Sequence, residues 1–450
     1  LEKALHGADA QAAARRAVVL GNARESKGKG ADRVDVADAD AENRAALKQA
    51  GADVVDRILP NGRIPHNKFL VLKEGDAPKA VLTGSTNWTT TGLCTQTNNA
   101  LVIDSPAVAS HYAAYWDQLE KDSAIGESEG SWQGKALRDW TRDHNERSKQ
   151  APTALEDGSS TVEIMFAPST TKLLNPKQPE EPGDMARVFE LIAGAKQAVL
   201  FLAFDPGNNS ILDAAGRALA DNPRLFVRGA LTSTQRAANF KQALDNARKG
   251  DGGADLHVAV VGEPAHAAKG QKAEPDYRAI PAGSVSKDDA FGAWEAELYS
   301  AGHAIIHDKI VVIDPFGPDC VVVSGSHNLG YRASSNNDEN FVIVHGHRAL
   351  AEAYACHVLD VYDHYAWRYW LAQQPEKFGR PLQPDDTWQE RYLRAGRPTS
   401  PEMQFWLSAV PSVVAHEDAA PTGPHATGPH ATGSAPPAHA KRPSGVRKTA

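Results

Sequence analysis

The sequence is poor in the features that mark several common classes of protein. Its 450 residues include only 3 cysteines, Cys94, Cys320 and Cys356, which are too few and too scattered for a disulfide framework or a closely spaced zinc site. Apolar stretches such as residues 198–204 stay well below the roughly 20 residues that a membrane-spanning helix needs. The 48 Lys and Arg are outnumbered by 56 Asp and Glu, so only a local basic site could attract a polyanion.

The composition is otherwise that of a globular protein, and the chain is long enough for two or three domains. Residues 421–450 differ from the rest, because they contain a tandem Thr-Gly-Pro-His-Ala repeat, several prolines and no acidic side chain. We expect a disordered tail there, since the segment has too few large apolar residues to bury a core. Residues 376–420 are expected to form a carboxy-terminal extension before this tail.

Two stretches of the chain repeat each other at a fixed shift of 241 residues, the distance from His66 to His307. Each copy has a His-x-Lys pair and, eighteen residues after its histidine, a Gly-Ser-x-Asn segment. Both copies also carry short aliphatic runs bounded by Gly, Asp, Pro and Ser, which are typical of strands. The repeated polar residues are His66, Lys68, Ser85 and Asn87 in the first copy and His307, Lys309, Ser326 and Asn328 in the second. The repeat predicts two copies of one α/β module.

The second copy is the more complete of the two. It is predicted to open with a strand at residues 161–168, a helix near 185–195 and a buried strand at 198–204, for which the first copy has no counterpart. By this comparison we expect the amino terminus to be truncated by on the order of fifty residues, which would expose a sheet edge. The first module, with connecting helices, is assigned to residues 1–150 and the second to 151–375.

The paired motifs resemble the signature of the phospholipase D superfamily, in which two His-x-Lys half-sites meet at one pocket. The second copy also has the closing acid of that signature, Asp314, and the resemblance covers most of residues 1–375. It implies an α/β fold of two similar modules, each a mixed sheet flanked by helices, related by a pseudo-two-fold axis with the active site at their junction. Because one chain holds both half-sites, a monomer is expected to be sufficient.

The resemblance implies a reaction that suits these residue types. A phosphodiester is an anion, so an enzyme must neutralise its oxygens while a nucleophile approaches phosphorus. Lys68 and Lys309 would supply the charges, and Asn87 and Asn328 would supply amide donors. One histidine attacks phosphorus to form a phosphohistidine, and the other donates a proton to the leaving oxygen and then deprotonates water. We expect no metal or other cofactor, because the cationic side chains neutralise the substrate.

The two copies differ in their acidic residues. Lys73 stands at the position that matches Asp314, and Asn98 stands at the position that matches Glu339. We expect Glu339 to receive the Nδ1 proton of His307, which would fix its tautomer and favour it as the nucleophile. Family precedent instead favours the amino-terminal histidine, so the choice stays open. A first motif without an acid is similar to the tyrosyl-DNA phosphodiesterase pattern of the same superfamily.

Three further residues have two interpretations each. Ser85 and Ser326 are candidates for hydroxyl contacts to the phosphate of the substrate or to a neighbouring histidine, or else they support a turn by side-chain hydrogen bonds. Asp314 belongs to the catalytic motif by resemblance. Strand parity, however, places it on the opposite face from His307 and Lys309, as expected for a supporting residue or one at the end of a strand.

We expect the protein to be a phospholipase D-like phosphodiesterase, with a phospholipid head group as the simplest substrate and peripheral contact with a membrane. A phosphatidyl transferase of the cardiolipin synthase kind would use the same two half-sites. A nuclease or DNA-repair phosphodiesterase is less favoured, because the net charge is −8 and no strip rich in Lys and Arg lies near the motifs. The departures at Lys73 and Asn98 would suit an inactive module that only binds phosphate.

Overall fold

The computed structural model describes residues 17–23, 25–27, 34–36, 41–60, 62–94, 96–232, 277–281, 306–373, 385–391, 393–394, 397–398 and 401–409. The disordered tail expected at residues 421–450 lies outside these ranges, as does part of the extension expected at 376–420. The module boundaries at 1–150 and 151–375 stay a prediction.

Both copies contain strands and helices. The first copy contains β1 Ala17–Ala23, β2 Glu25–Lys27, β3 Val34–Val36, α1 Ala41–Gln49, β4 Asp53–Leu59, β5 Ile64–Pro65, β6 Phe69–Glu74, β7 Ala77–Gly84, α2 Thr90–Cys94 and β8 Ala100–Ile103. Two connecting helices follow, α3 Pro106–Glu129 and α4 Lys135–Gln150. The second copy contains β9 Thr153–Ala154, β10 Thr161–Ala167, α5 Gly183–Ala193, β11 Ala198–Ala203, α6 Ile211–Asp221, β12 Phe226–Leu231, β13 Tyr277–Pro281, β14 Lys309–Ile313, β15 Val321–Gly325, α7 Tyr331–Asn336, β16 Asn337–His345 and α8 Arg348–Gln373. Beyond it lie a 3₁₀ helix Asp386–Arg391, β17 Leu393–Arg394, β18 Arg397–Pro398 and α9 Pro401–Ala409.

The second copy is built on one mixed sheet with the strand order β13-β12-β11-β14-β15-β16-β10-β9. Every residue of β11 is buried, as is usual for a strand covered on both faces. Helices α5 and α6 pack on one face, where Met185, Val188 and Ile192 enter the core. Helix α8 packs on the other face. The predicted mixed sheet flanked by helices is therefore confirmed for this copy.

The first copy has three smaller sheets, the smallest of which is the antiparallel pair of β2 and β3. Strand β1 pairs in parallel with β4, and β6, β7 and β8 form an antiparallel sheet. In the second copy β11 joins β12 to β14, whereas none of the described strands joins β1 to β6. The outer face of the β6–β8 sheet is apolar and open, with Leu72 and Val102 57% and 65% exposed. Their counterparts, Ile313 and Ile343, are buried in the core that α5 and α6 cover.

Helix α3 joins the two copies into one apolar core. The hydroxyl of Ser105 accepts a hydrogen bond from the first turn, and Pro106 follows it, which is a favourable start for a helix. The buried ring of Tyr112 lies 5.2 Å from Phe69 of β6 and 5.2 Å from Phe166 of β10, measured between ring centroids. The helix thus contacts a strand of each copy, and this contact fixes the two sheets relative to each other.

Candidate active site

The two copies exchange backbone contacts where their His-x-Lys segments lie. Strand β5 pairs in parallel with the start of β16, and the backbone N–H of His66 donates to the carbonyl oxygen of Asp338 at 3.0 Å. In the other half, the backbone N–H of His307 donates to the carbonyl oxygen of Thr97 at 3.0 Å. Thr97 and Asp338 are counterparts at the shift of 241. Each histidine is therefore held against the opposite copy.

This exchange brings the two predicted half-sites together. The imidazole rings of His66 and His307 face each other edge to face, with their centroids 6.4 Å apart. The ammonium group of Lys68 donates to the carbonyl oxygen of His66 at 2.6 Å, and that of Lys309 to the carbonyl oxygen of His307 at 2.5 Å. Both lysines are buried. Two imidazoles and two ammonium groups thus form one pseudo-symmetric cluster.

The expected partnership between Glu339 and His307 is wrong. Nδ1 of His66 lies 2.8 Å from both carboxylate oxygens of Glu339, so Glu339 is the hydrogen-bond partner of the histidine in the other copy. Strand β5 pairs with β16, and this pairing places His66 beside Glu339, the residue after Asp338. The carboxylate therefore favours His66 as the nucleophile, in agreement with the family precedent.

His307 has neutral hydrogen-bond partners. Its Nδ1 lies 2.9 Å from Oδ1 of Asn98 and 3.1 Å from the carbonyl oxygen of Ser85. The Asn98 amide donates to the carbonyl oxygen of Gly92, which fixes Oδ1 as the atom that faces the imidazole. Because both neighbours are acceptors, Nδ1 of His307 carries a proton and Nε2 is left for the substrate.

The predicted substrate contacts of the two serines are not supported. The hydroxyl of Ser85 donates to Oδ1 of Asn98 at 2.9 Å, and the hydroxyl of Ser326 donates to Oε2 of Glu339 at 2.7 Å. Each serine therefore supports the group that orients a histidine. These bonds do not support a turn either, because each partner lies 13 residues further along the chain.

The glycine before each serine allows two strands to approach closely. A Cβ atom on Gly84 would lie 2.2 Å from the carbonyl oxygen of Asn99, and one on Gly325 would lie 2.3 Å from the carbonyl oxygen of Asn340. Neither position has room for a Cβ atom, so the close approach of the two strands requires a glycine before each serine.

Asn87 and Asn328 lie two residues after these serines, and each is half-buried. Oδ1 of Asn328 is buried and has no hydrogen-bond partner within the described part of the chain. A buried amide oxygen without a partner is costly, so this atom is available to accept a hydrogen bond from a donor group. The role of both amides at the phosphate stays a prediction.

Asp314 lies away from this cluster, and its assignment as a catalytic residue is corrected. It follows β14, roughly 16 Å along the strand from Lys309. Its carboxylate accepts hydrogen bonds from the backbone N–H groups of Lys196, Gln197 and Ala198 at 2.8, 2.7 and 2.8 Å. Asp314 therefore anchors the start of β11, as strand parity indicated.

Burial controls the protonation of both histidines. Burial, together with the charges of the nearby Lys309 and Lys68, lowers the pKa of His307 to about 2. Burial also lowers the pKa of His66, although Glu339 acts in the opposite direction. Both imidazoles are consequently neutral in the empty site at neutral pH.

The lysines are affected in the same way. Burial lowers the pKa of Lys68 to about 7, although Glu339 opposes the change. Burial, together with the charge of Lys68, lowers the pKa of Lys309 well below its usual range. An anion between these ammonium groups would favour their charged forms, so the site is organised to gain protons when it binds a phosphate.

Sequence reasoning missed two supporting amides. Asn337 donates to Oε1 of Glu339 at 2.9 Å, which adds a third group to the support of that carboxylate. Asn340 donates to Oδ1 of Asn67, the middle residue of the first His-x-Lys, at 2.8 Å. The sequence contains a signal for the second of these, because Asn340 and Asn99 are counterparts in the repeat.

The described ranges lack two further features. They contain no group of three or more His, Cys, Asp or Glu placed to hold a metal ion. Among their helices, none is long and apolar enough to cross a membrane.

A family model described as "Cardiolipin synthase, PLD-like domain" matches residues 9–120 and 286–359, the stretches that contain the two His-x-Lys pairs. No curated protein matches the sequence.

Solved structures similar to this chain include three proteins. Nuc of Salmonella typhimurium, a phospholipase D family member, is 16% identical and aligns over 45% of this chain and 93% of its own, with a TM-score of 0.25. The phosphatidylserine synthase of Haemophilus influenzae is 13% identical over 72% and 68% of the two chains, with a TM-score of 0.36. Yeast tyrosyl-DNA phosphodiesterase is 11% identical over 72% and 77%, with a TM-score of 0.31.

Proposed function

Because the chain belongs to the phospholipase D superfamily, we propose that it is a phosphodiesterase that cleaves its substrate through a phosphohistidine. The observation that supports this best is the facing pair of imidazoles, 6.4 Å apart, each with a buried lysine two residues later. One phosphate group could lie between the two rings and contact both lysines. An inactive phosphate-binding module would not need two imidazoles oriented by separate hydrogen bonds.

His66 is the nucleophile in this proposal. Its Nδ1–H donates to Glu339, so the lone pair of Nε2 is free to attack phosphorus. As the N–P bond forms, positive charge develops on the imidazole, and the adjacent carboxylate stabilises that charge. The bond from phosphorus to the leaving oxygen breaks in the same step.

His307 is the general acid and then the general base. Burial is the main cause of the low pKa of His307, and the charges of Lys309 and Lys68 add to it. A bound phosphodiester places negative charge beside the imidazole and opposes these effects, which favours a proton on Nε2. That proton passes to the leaving oxygen. In the second step Nε2 takes a proton from water, the water oxygen attacks phosphorus, and the N–P bond to His66 breaks.

A phospholipid head group is the substrate that we favour, because the net charge of −8 disfavours a nucleic acid polyanion. The matched family model, described as a cardiolipin synthase domain, supports a second candidate. In that case an alcohol group of a second lipid, rather than water, would take the phosphatidyl group from His66.

The test is to add ethanol during the cleavage of phosphatidylcholine. A phosphohistidine can be intercepted by any small nucleophile, so ethanol should divert product from phosphatidic acid to phosphatidylethanol. A transferase would give phosphatidylethanol with little phosphatidic acid, and a nuclease would cleave single-stranded DNA and leave the lipid intact. His66→Ala is the control and should give neither lipid product. Phosphatidic acid without phosphatidylethanol at high ethanol would count against the covalent step.

A further inference from the structure

Arg57 on β4 is one of the largest fully buried side chains among the described residues, and it is charged. Its guanidinium contacts Asp338 through two hydrogen bonds of 2.5 and 3.1 Å and Asp122 through one of 3.0 Å. The remaining nitrogen, Nη1, donates to the hydroxyl of Ser123 at 3.0 Å and to the carbonyl oxygen of Leu119 at 3.3 Å. All five N–H groups of the arginine therefore have acceptors, which fixes it in one orientation.

Asp338 connects this arginine to the candidate nucleophile. Its carbonyl oxygen accepts the backbone N–H of His66 at 3.0 Å, and the next residue, Glu339, accepts the Nδ1–H of the same histidine. Gln133 donates to the Asp338 carboxylate at 3.1 Å and completes its support. Both contacts that hold His66 thus come from a strand segment that Arg57 anchors.

The other half-site has no described equivalent of this anchor. Thr97 occupies the position that matches Asp338, and its hydroxyl is buried without a hydrogen-bond partner within the described residues. The position that matches Arg57 is Leu298, whose structure lies outside the described ranges. The ion pair of Arg57 with Asp338 therefore lies beside His66, the histidine with the carboxylate partner. Within the described residues, His307 has no such pair beside it.

Stability alone is a weak explanation for this buried ion pair. Removing two charges from water is costly, and apolar replacements of such pairs are often neutral or stabilising. A bidentate arginine does, however, fix direction as well as distance, which lysine cannot do. We therefore explain the buried ion pair by the orientation that it gives to the strand segment with Asp338 and Glu339.

We propose that Arg57 is a positioning residue for His66, acting through Asp338 to hold the imidazole and Glu339 in register across the junction of the two copies. This inference rests on the proposed function, because it assigns Arg57 to the attack step. The effect of Arg57 on the hydrogen bond between His66 and Glu339 does not depend on that function, and it can be measured without turnover.

The experiment compares Arg57→Lys and Asp338→Asn with the unchanged protein. In both variants kcat should fall by roughly 10- to 100-fold with KM within about threefold, because misplacement affects attack more than binding. The pKa of His66, followed by NMR with His66→Ala for assignment, should fall further, since Glu339 raises it in the intact site. Arg187→Lys is the matched control, because Arg187 pairs with the buried Glu163 elsewhere on the same sheet.

Each outcome decides the proposal. A folded Arg57→Lys variant in which the pKa of His66 equals that of the unchanged protein would overturn the proposal. An equal shift of the His66 pKa in Arg187→Lys would also overturn it. If Arg57→Lys does not fold, Asp338→Asn, which keeps the shape of the side chain, supplies the same test. If the unchanged protein cleaves no phosphodiester, the proposed function fails, while the titration still supports or overturns the positioning role.

Discussion

The two half-sites share one backbone arrangement. They differ in the group behind each imidazole, which is the side chain that accepts a hydrogen bond from its Nδ1. His66 donates to a carboxylate, Glu339, whereas His307 donates to an amide, Asn98. A carboxylate stabilises an imidazole that becomes positive as it attacks phosphorus. An amide leaves the protonated imidazole more acidic, which suits the donation of a proton to a leaving group. In the proposed mechanism this difference would make His66 the nucleophile and His307 the acid.

Replacing either histidine should have the largest effect and should separate the two roles. We expect His66→Ala and His307→Ala each to lower turnover of a phospholipid by roughly a thousandfold or more, since the two groups act as a unit. A diester with a p-nitrophenolate leaving group needs no proton donor, so His307→Ala should still form a phosphohistidine, detected by mass spectrometry. His66→Ala should form none.

The opposite labelling pattern, with phosphohistidine in His66→Ala and none in His307→Ala, would reverse the assignment. Circular dichroism of both variants provides the control for folding.

Changing the groups behind the imidazoles should have the next largest effect. Glu339→Gln removes the carboxylate and should lower kcat by roughly 10²- to 10⁴-fold, because the developing charge on His66 loses its partner. Asn98→Asp adds a negative charge beside His307, which should raise the pKa of that histidine and move the alkaline limb of the pH profile upward. Its effect on kcat should be smaller, at most roughly tenfold. Steady-state kinetics across the pH range measures both, and a greater loss in Asn98→Asp would contradict the comparison.

The two lysines affect the binding of an anion, which can be measured without turnover. In the empty site Lys68 loses its proton as the pH rises through about 7. A bound anion favours the charged form, so binding above that pH takes up a proton and affinity falls as the pH rises, by up to roughly tenfold per unit for each lysine. Calorimetry with sulfate between pH 6 and 9, in buffers of different ionisation enthalpy, measures this uptake.

Lys68→Met should remove one proton from the measured uptake. A sulfate affinity that is constant from pH 6 to 9 would show that the lysines are already charged in the empty site.

Much of this arrangement could be predicted from the sequence. The shift of 241 identified both His-x-Lys pairs, and the structure brings them together. The strand and helix expected at residues 161–168 and 185–195 correspond to β10 and α5. A repeat shows which residues are equivalent, but it does not show which residues touch. The pairing of β5 with β16 is a contact between copies, so the partnership of Glu339 with His66 could not be deduced from spacing.

The exchange of partners between the copies also has an evolutionary consequence. The contact of His66 with Glu339 and that of His307 with Asn98 are reciprocal under the shift of 241, as in the isologous interface of a homodimer. Two identical subunits would have to carry the same residue behind both imidazoles. A single polypeptide that contains both copies is free of this restriction, because each position can mutate alone. Joining the copies therefore permits one half-site to keep a carboxylate while the other keeps an amide.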